Sequence, residues 1–569
     1  MLISQRLEKI QAYARKHFTP LDAPHPACVL FLSFSDGRRK ATVLRTAAPT
    51  LDEAWATLQS RMRAHRDKNK GPAPWLRLDW ADWAEIMEWR QFREALRRFK
   101  RNYFRYGLTL DPAFRYALPE LECNANMLFY TEKDSKAQVQ EETLAAYCQK
   151  LFGQALSFPL EEERKVGIFS LTGVFCGPEG GLNALPGAND ARVLPPPPHA
   201  KASNGPASTL FTGRRRLQEV TRETLDGVIL RGSRALAAMC GPDGEFIYGH
   251  LGAKGTRLTS YNVVRHAGTL LALIDSLEHT GDESLRPAIE AGIRHMTGPL
   301  LRLRTLGNGR EAAFVVESGG EIKLGGNGLA LVALGRWTRH SGSREFLPLM
   351  AKLGEGIAWM QRPDGTFNHV YMDGDAPELL AANRVIYYDG EGLFGLALLH
   401  AASGEERWLD ISLRALDAFL LKEHWKNHDH WLSYATNEIT LIRPEDRYFL
   451  FGLKNVSGFL NFILHRETAY PTLLEQCMAA DKMIRRLEAM PDKRRLLEGF
   501  DLPKFRLATQ RRAEFLLNGV YWPEVAMYFP HPQRLVDGFF IRHHGFRLRI
   551  DDAAHYLCGL CAYAATLEA

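Results

Sequence analysis

Cysteine is scarce, with eight residues in a chain of 569, at positions 28, 123, 148, 176, 240, 477, 558 and 561. Their scatter carries no disulfide-framework spacing, which excludes a stapled secreted scaffold and suits a reducing compartment. Long apolar runs are also missing. No stretch approaches the roughly 18 uninterrupted apolar residues of a membrane span. The first residues, MLISQRLEKIQAYARKHF, mix charged with apolar positions instead of leading a basic stub into an apolar run, so no secretory signal is expected. A cytoplasmic location is the resulting expectation. The chain also lacks a marked excess of one charge sign. Seventy-two Lys and Arg against 66 Asp and Glu leave +6, too little to imply a nucleic-acid partner. Neither GxxxxGK[ST] nor GxSxG occurs, which removes support for phosphate-loop nucleotide hydrolysis and α/β-hydrolase chemistry. No motif calls for a cofactor, and none is expected.

What is present divides the chain. A length of 569 residues exceeds what one ordinary core sustains. Residues 191–208, ARVLPPPPHAKASNGPAS, combine four consecutive prolines with small polar residues and read as an extended linker. Residues 1–190 read as a mixed α+β domain, with a β-hairpin about Asp36-Gly37 in CVLFLSFSDGRRKATVL and a helix in DEAWATLQSRMRAHRD. The basic, aromatic stretch EIMEWRQFREALRRFKRNYFRYG reads as one helix. It could bind nucleic acid, an anionic membrane surface or an acidic glycan, but the plainer reading docks its aromatics on the sheet and leaves its arginines in solvent.

Residues 209–569 carry a repeat. RHAGTLLALIDSLEHTGDESL, GNGLALVALGRWTRHSGSREFL and YDGEGLFGLALLHAASGEERWL share small residues, a Leu-rich run and a turn glycine. Those glycines, Gly281, Gly342 and Gly404, lie 61 and 62 residues apart. A fixed period of this size marks units that bury their apolar faces only against neighbours, and 361 residues hold about six. Asp243-Gly244, Asn308-Gly309 and Asp364-Gly365 supply turns before the units. Gly-, Ala- and Leu-rich helices suit an inner ring, and amphipathic ones such as ERWLDISLRALDAFLL suit an outer ring. The match decays beyond residue 424. The expected fold is an α+β domain followed by an all-α (α/α)6-type toroid.

On the segments GPDGEFIYG, RPDGTFNHVYM and YYDGEGLFGLALLHAASGEERWLD, this region resembles the six-hairpin (α/α) superfamily of unsaturated glucuronyl hydrolases, N-acylglucosamine 2-epimerases and glucuronyl C5-epimerase toroids. The resemblance implies a carbohydrate-active enzyme. It transfers no complete catalytic motif.

Two groups of polar residues are candidates for the chemistry. Overlaying the units places His266, Asn327 and Asp389 at one equivalent position near the start of each inner helix, with Tyr388 and Glu391 beside Asp389. Equivalent positions would open on one rim of the ring, where helix N-termini favour an anion such as a uronate. Plain N-capping and a satisfied buried imidazole account for the same three residues. In NHDHWLSYATNEITLI, His430, Tyr434 and Glu438 follow at i, i+4 and i+8, with Asn437 and His428 nearby. This stripe is unlike a solvated face and suits a cavity lining, with Glu438, Asp389 and His430 as acid/base groups. It also suits a buried hydrogen-bonded network that fixes helix packing. No metal is expected. His428, Asp429 and His430 diverge if they share a helix, and His555, Cys558 and Cys561 on an Ala- and Leu-rich helix read as core.

The resulting expectation is acid/base chemistry on an acidic or amino sugar, of glycoside hydrolase or epimerase type, with a glycan as partner. The alternatives are a non-catalytic glycan-binding or scaffold protein, and a cyclase or transferase that uses the toroid as a chamber.

Overall fold

A computed structural model describes residues 1–69, 73–153, 157–187, 211–217 and 219–568. The Pro-rich stretch 191–208 lies outside the described residues. In the N-terminal part, seven antiparallel strands form one sheet. Its order runs Thr42–Ala48, Cys28–Ser35, Trp75–Glu88, Lys165–Cys176, Gly107–Thr109 and Ala117–Leu118, and Leu182–Leu185 also pairs with Lys165–Cys176. The expected hairpin pairs Cys28 with Ala48 and Phe34 with Thr42, and Gly37 takes a left-handed φ of 77° in its turn. The expected helix spans Leu51–Asn69.

The basic, aromatic stretch is not one helix. Glu85 to Glu88 end the strand Trp75–Glu88, and only Trp89–Leu96 is helical. Trp89, Phe92 and Phe104 are fully buried against the sheet. The apolar demand of those rings overrides the local helical charge pattern.

In the C-terminal part, six helices form a closed inner ring: Val263–Thr280, Leu324–Ser341, Tyr387–Ser403, His430–Ile442, Thr472–Ala489 and Ile550–Ala564. Each packs on the next, and the sixth closes onto the first. Six outer helices back them: Arg222–Ala237, Arg286–Thr297, Leu347–Met360, Glu406–Leu421, Asp446–Ser457 and Leu502–Leu516. The ring is complete beyond residue 424, where the sequence repeat fades. Gly281, Gly342 and Gly404, at φ of 66°, 71° and 77°, are the left-handed C-caps of the first three inner helices. Each donates its N–H to a carbonyl four residues back.

Close packing sets the inner composition. A Cβ on Gly328 would lie 2.4 Å from the Glu391 carbonyl, and one on Gly395 would lie 2.6 Å from the Gly328 carbonyl, so these two backbones pack directly together. The ring is not all-α. The hairpin Leu301–Thr305/Glu311–Val315 and two three-stranded sheets lie between its helices. Among the described residues no helix is long and apolar enough to cross a membrane.

Buried polar bonds and shared apolar core residues such as Leu121 and Phe175 join the sheet region to the ring. Arg77, ion-paired to Asp79, donates to the carbonyls of Gly213 and Glu524 at 3.0 and 2.8 Å. Asn102 donates to the Arg542 carbonyl at 2.9 Å, and Arg542 pairs with Glu120. The Ala469 N–H donates to the Tyr103 hydroxyl at 2.9 Å.

Candidate active site

The N-terminal halves of the inner helices surround a cavity of about 390 Å³. Gly268, Leu329 and Glu391 line it, and they occupy one equivalent position on the first three inner helices. This position is two residues past His266, Asn327 and Asp389. Two residues turn a helix by about 200°, so the residues selected by the sequence overlay face the outer layer instead.

His266 is fully buried. Its Nε2–H donates to the Gly292 carbonyl at 2.8 Å, and its Nδ1 accepts from the Tyr261 hydroxyl at 2.6 Å. Burial, which outweighs the Gly292 bond, pulls its pKa down to about 4. Asn327 bonds the N–H and carbonyl of Val315 and the Lys323 carbonyl. Asp389 accepts from His369 Nε2 at 3.3 Å and lies 3.9 Å from His424. All three tie the start of an inner helix to the preceding segment, and none lines the cavity.

The fourth inner helix also divides the expected residues. His430 lines the cavity, whereas Glu438 lies eight residues, or about 12 Å of rise, further along the helix. There Glu438 faces Arg339 at 3.5 Å, near the far ends of the inner helices. Asn437 accepts from Arg486 at 2.9 Å. Asp389 and Glu438 therefore do not converge. His428 precedes the helix, stacks on Phe459 and bonds the Asn455 carbonyl, away from the cavity. Tyr434 lies behind the cavity wall, where its hydroxyl donates to Glu475 Oε1 at 3.1 Å.

Of the expected residues, Tyr388, Glu391 and His430 line the cavity. Glu391 is 3% exposed, and among the described residues its Oε2 has no hydrogen-bond partner. Burial, reinforced by the nearby Asp429 carboxyl, holds its pKa well above the usual carboxylate range. The carboxyl lies in the cavity wall with Oε2 packed on Gly325, where a Cβ would lie 2.0 Å from that oxygen.

The remaining walls were not singled out from the sequence. Glu475 of the fifth inner helix accepts from His555 Nδ1 of the sixth at 2.7 Å. Burial opposes the imidazolium, but the Glu475 carboxylate outweighs it and raises the His555 pKa. Arg265 donates to Asp551 at 2.8 Å, Arg549 pairs with the same carboxylate, and Arg547 holds Asp552 through two bonds of 2.9 and 3.0 Å. Tyr387, Trp431 and Tyr470 add aromatic surface. One nitrogen or oxygen from each of His430, Glu475 and His555 falls within 4.8 Å of the others. In the sequence alone His555 reads as core, and Glu475, Arg265 and Asp551 belong to no recognisable motif. The available signal was the run of charged residues in RLRIDDAAH, at the start of an otherwise apolar helix.

No protein-family model matches the chain, and no curated protein matches it. Among solved structures, the chain is similar to a cellobiose 2-epimerase from Bacillus thermoamylovorans, with 9% identity and a TM-score of 0.45 over 61% of this chain and 99% of that one. It is also similar to an α-1,6-mannanase of Salegentibacter (14%, TM-score 0.29, 60% and 99%). A third similar structure is a possible member of the GH105 family from Salmonella enterica (11%, TM-score 0.40, 63% and 98%).

Proposed function

We propose that this chain is a carbohydrate-active enzyme that performs acid/base chemistry on a sugar held in the cavity of its helical ring. The observation that carries this reading is Glu391, a buried carboxyl in the wall of a cavity large enough for a small ligand, with its pKa raised by burial and its Oε2 unpartnered among the described residues. A carboxylic acid kept protonated is suited to donating a proton to a leaving or carbonyl oxygen. Across the cavity, His555 and Glu475 form the opposite proton-carrying pair, and His430 stands beside them in the wall. Tyr387, Trp431 and Tyr470 give faces on which the C–H side of a sugar ring can rest.

Arg265, Arg547 and Arg549 lie together in the cavity wall, held by Asp551 and Asp552, and their guanidinium groups suit an acidic sugar. Hydrolysis and epimerisation both follow from this set. The product distinguishes them, as a cleaved glycosidic bond or an inverted ring carbon. The test incubates the full chain with a panel of neutral, amino and uronic oligosaccharides and analyses products by mass and NMR. Turnover of a glycan that falls steeply in Glu391→Gln supports the reading. Binding without turnover across every bound glycan refutes it.

A further inference from the structure

We infer that His430, Glu475 and His555 form a binding site for a divalent transition-metal ion in the wall of the same cavity. The three donors come from the fourth, fifth and sixth inner helices, so no local sequence spacing connects them. One ligand atom from each lies within 4.8 Å of the others. A tetrahedral ion with bonds near 2.0–2.1 Å brings its donors to about 3.4 Å. Side-chain rotations that close gaps of up to about 1.4 Å, and that part His555 Nδ1 and Glu475 Oε2 from their present 2.7 Å, therefore complete the set. Two imidazoles and one carboxylate leave a fourth position open, as catalytic rather than structural sites do, and all three residues line the cavity.

A second, independent feature points to a ligand. His430 is 5% exposed, and among the described residues its Nε2 has no hydrogen-bond partner. An unpaired buried ring nitrogen is costly unless something occupies the space beside it. The surrounding groups also suit a metal site. Tyr434 donates to Glu475 Oε1, so Oε2 is left for the site. Such outer partners orient metal-binding groups. In the metal-free arrangement a proton bridges His555 Nδ1 and Glu475 Oε2. An arriving ion takes that place and releases the proton to solvent; with the ion bound these three residues would no longer carry protons, and a water at its open position would take over the role of base opposite Glu391.

The inference rests on the reading of this cavity as a sugar site only for what the ion would do there, which is to polarise a sugar oxygen at the fourth position. Binding itself is tested without a substrate. The full-length protein is stripped with a chelator, exchanged into clean buffer and titrated with zinc chloride by calorimetry. Cobalt absorption then reports the donor type. The expected result is one ion per chain, with no thiolate-to-cobalt charge-transfer band. His430→Ala should weaken binding by more than about a hundredfold, beyond the 10–100-fold worth of an outer partner. Glu475→Gln should do likewise, and melting curves identify any variant that has simply unfolded. For such a variant, the cobalt spectrum of His430→Gln substitutes. Absence of saturable zinc binding, equal affinity in His430→Ala, or a thiolate band assigning the ion to a cysteine such as Cys558 would each overturn the site. Glycan turnover, scored separately, addresses only the acid/base reading. Zinc bound without turnover sinks that reading and leaves the site, and turnover without zinc binding does the reverse.

Discussion

Replacing Glu391 by Gln separates chemistry from stability. Burial raises the pKa of the carboxyl, and its Oε2 makes no hydrogen bond among the described residues, so the amide replaces a group of equal size without breaking a bond. The sign of the stability change follows from the pKa. Folded Glu391 titrates well above 4.5, whereas the unfolded group titrates near 4.3. Below that value both states are protonated, and the substitution is near neutral. As pH rises above it, the unfolded wild-type chain ionises while the folded chain holds its proton. Folded wild type therefore loses stability by up to about 1.4 kcal/mol per pH unit until the folded group titrates. The Gln variant has no such loss, so at neutral pH it should be at least as stable as wild type. Turnover should change in the opposite direction. Removing a general acid is worth about two to four orders of magnitude, or about 3 to 5 kcal/mol of barrier. The alkaline limb of the pH–rate profile, where Glu391 ionises, should vanish with it. The assay pairs kcat and KM across pH with urea melts at pH 4 and pH 7. A variant with wild-type kcat, or one that loses several kcal/mol at pH 7, would refute the reasoning.

Four further outcomes are expected. Asp389→Asn should keep kcat/KM within about threefold, because the residue faces His369 and not the cavity; a loss as large as that of Glu391→Gln would return Asp389 to the chemistry. Gly328→Ala should cost about 1–3 kcal/mol in a urea melt, since its Cβ would lie 2.4 Å from the Glu391 carbonyl; an unchanged midpoint would contradict the close helix contact. His250, His266 and His544 are held near 4 and His543 near 3, mainly by burial. Below about pH 6.5 the unfolded chain takes up protons these four refuse, so stability they support above that pH should be lost between pH 6.5 and 4. A melting temperature whose acid slope is the same in wild type and His266→Gln would argue against the assignment for His266. Protease nicking at 191–208 should leave two fragments that co-elute on a native column, held by the buried Arg77 and Arg542 bonds. Separate elution would show that those contacts are weak.

The sequence by itself determined the ring and its period, because the physics behind them is local. A left-handed C-cap needs glycine, so Gly281, Gly342 and Gly404 mark helix ends one unit apart. Close-packed inner helices need small residues, and outer helices need one wet face. Local pattern also placed a hairpin at Gly37 and a helix over residues 52–67, which the structure extends to Leu51–Asn69. It did not determine which way each polar side chain faces. Asp389 and Glu391 differ by two positions and point to opposite sides of one helix, and a repeat overlay has no means of choosing between them. His430 and Glu438 share a helical face but lie at different depths, which the stripe pattern did not register. Glu475, His555, Arg265 and Asp551 lie on three inner helices far apart in sequence. Only closure of the ring, which packs the sixth inner helix on the first and fifth, brings them to one cavity, where burial raises the pKa of Glu391 and the Glu475 carboxylate, against burial, raises that of His555.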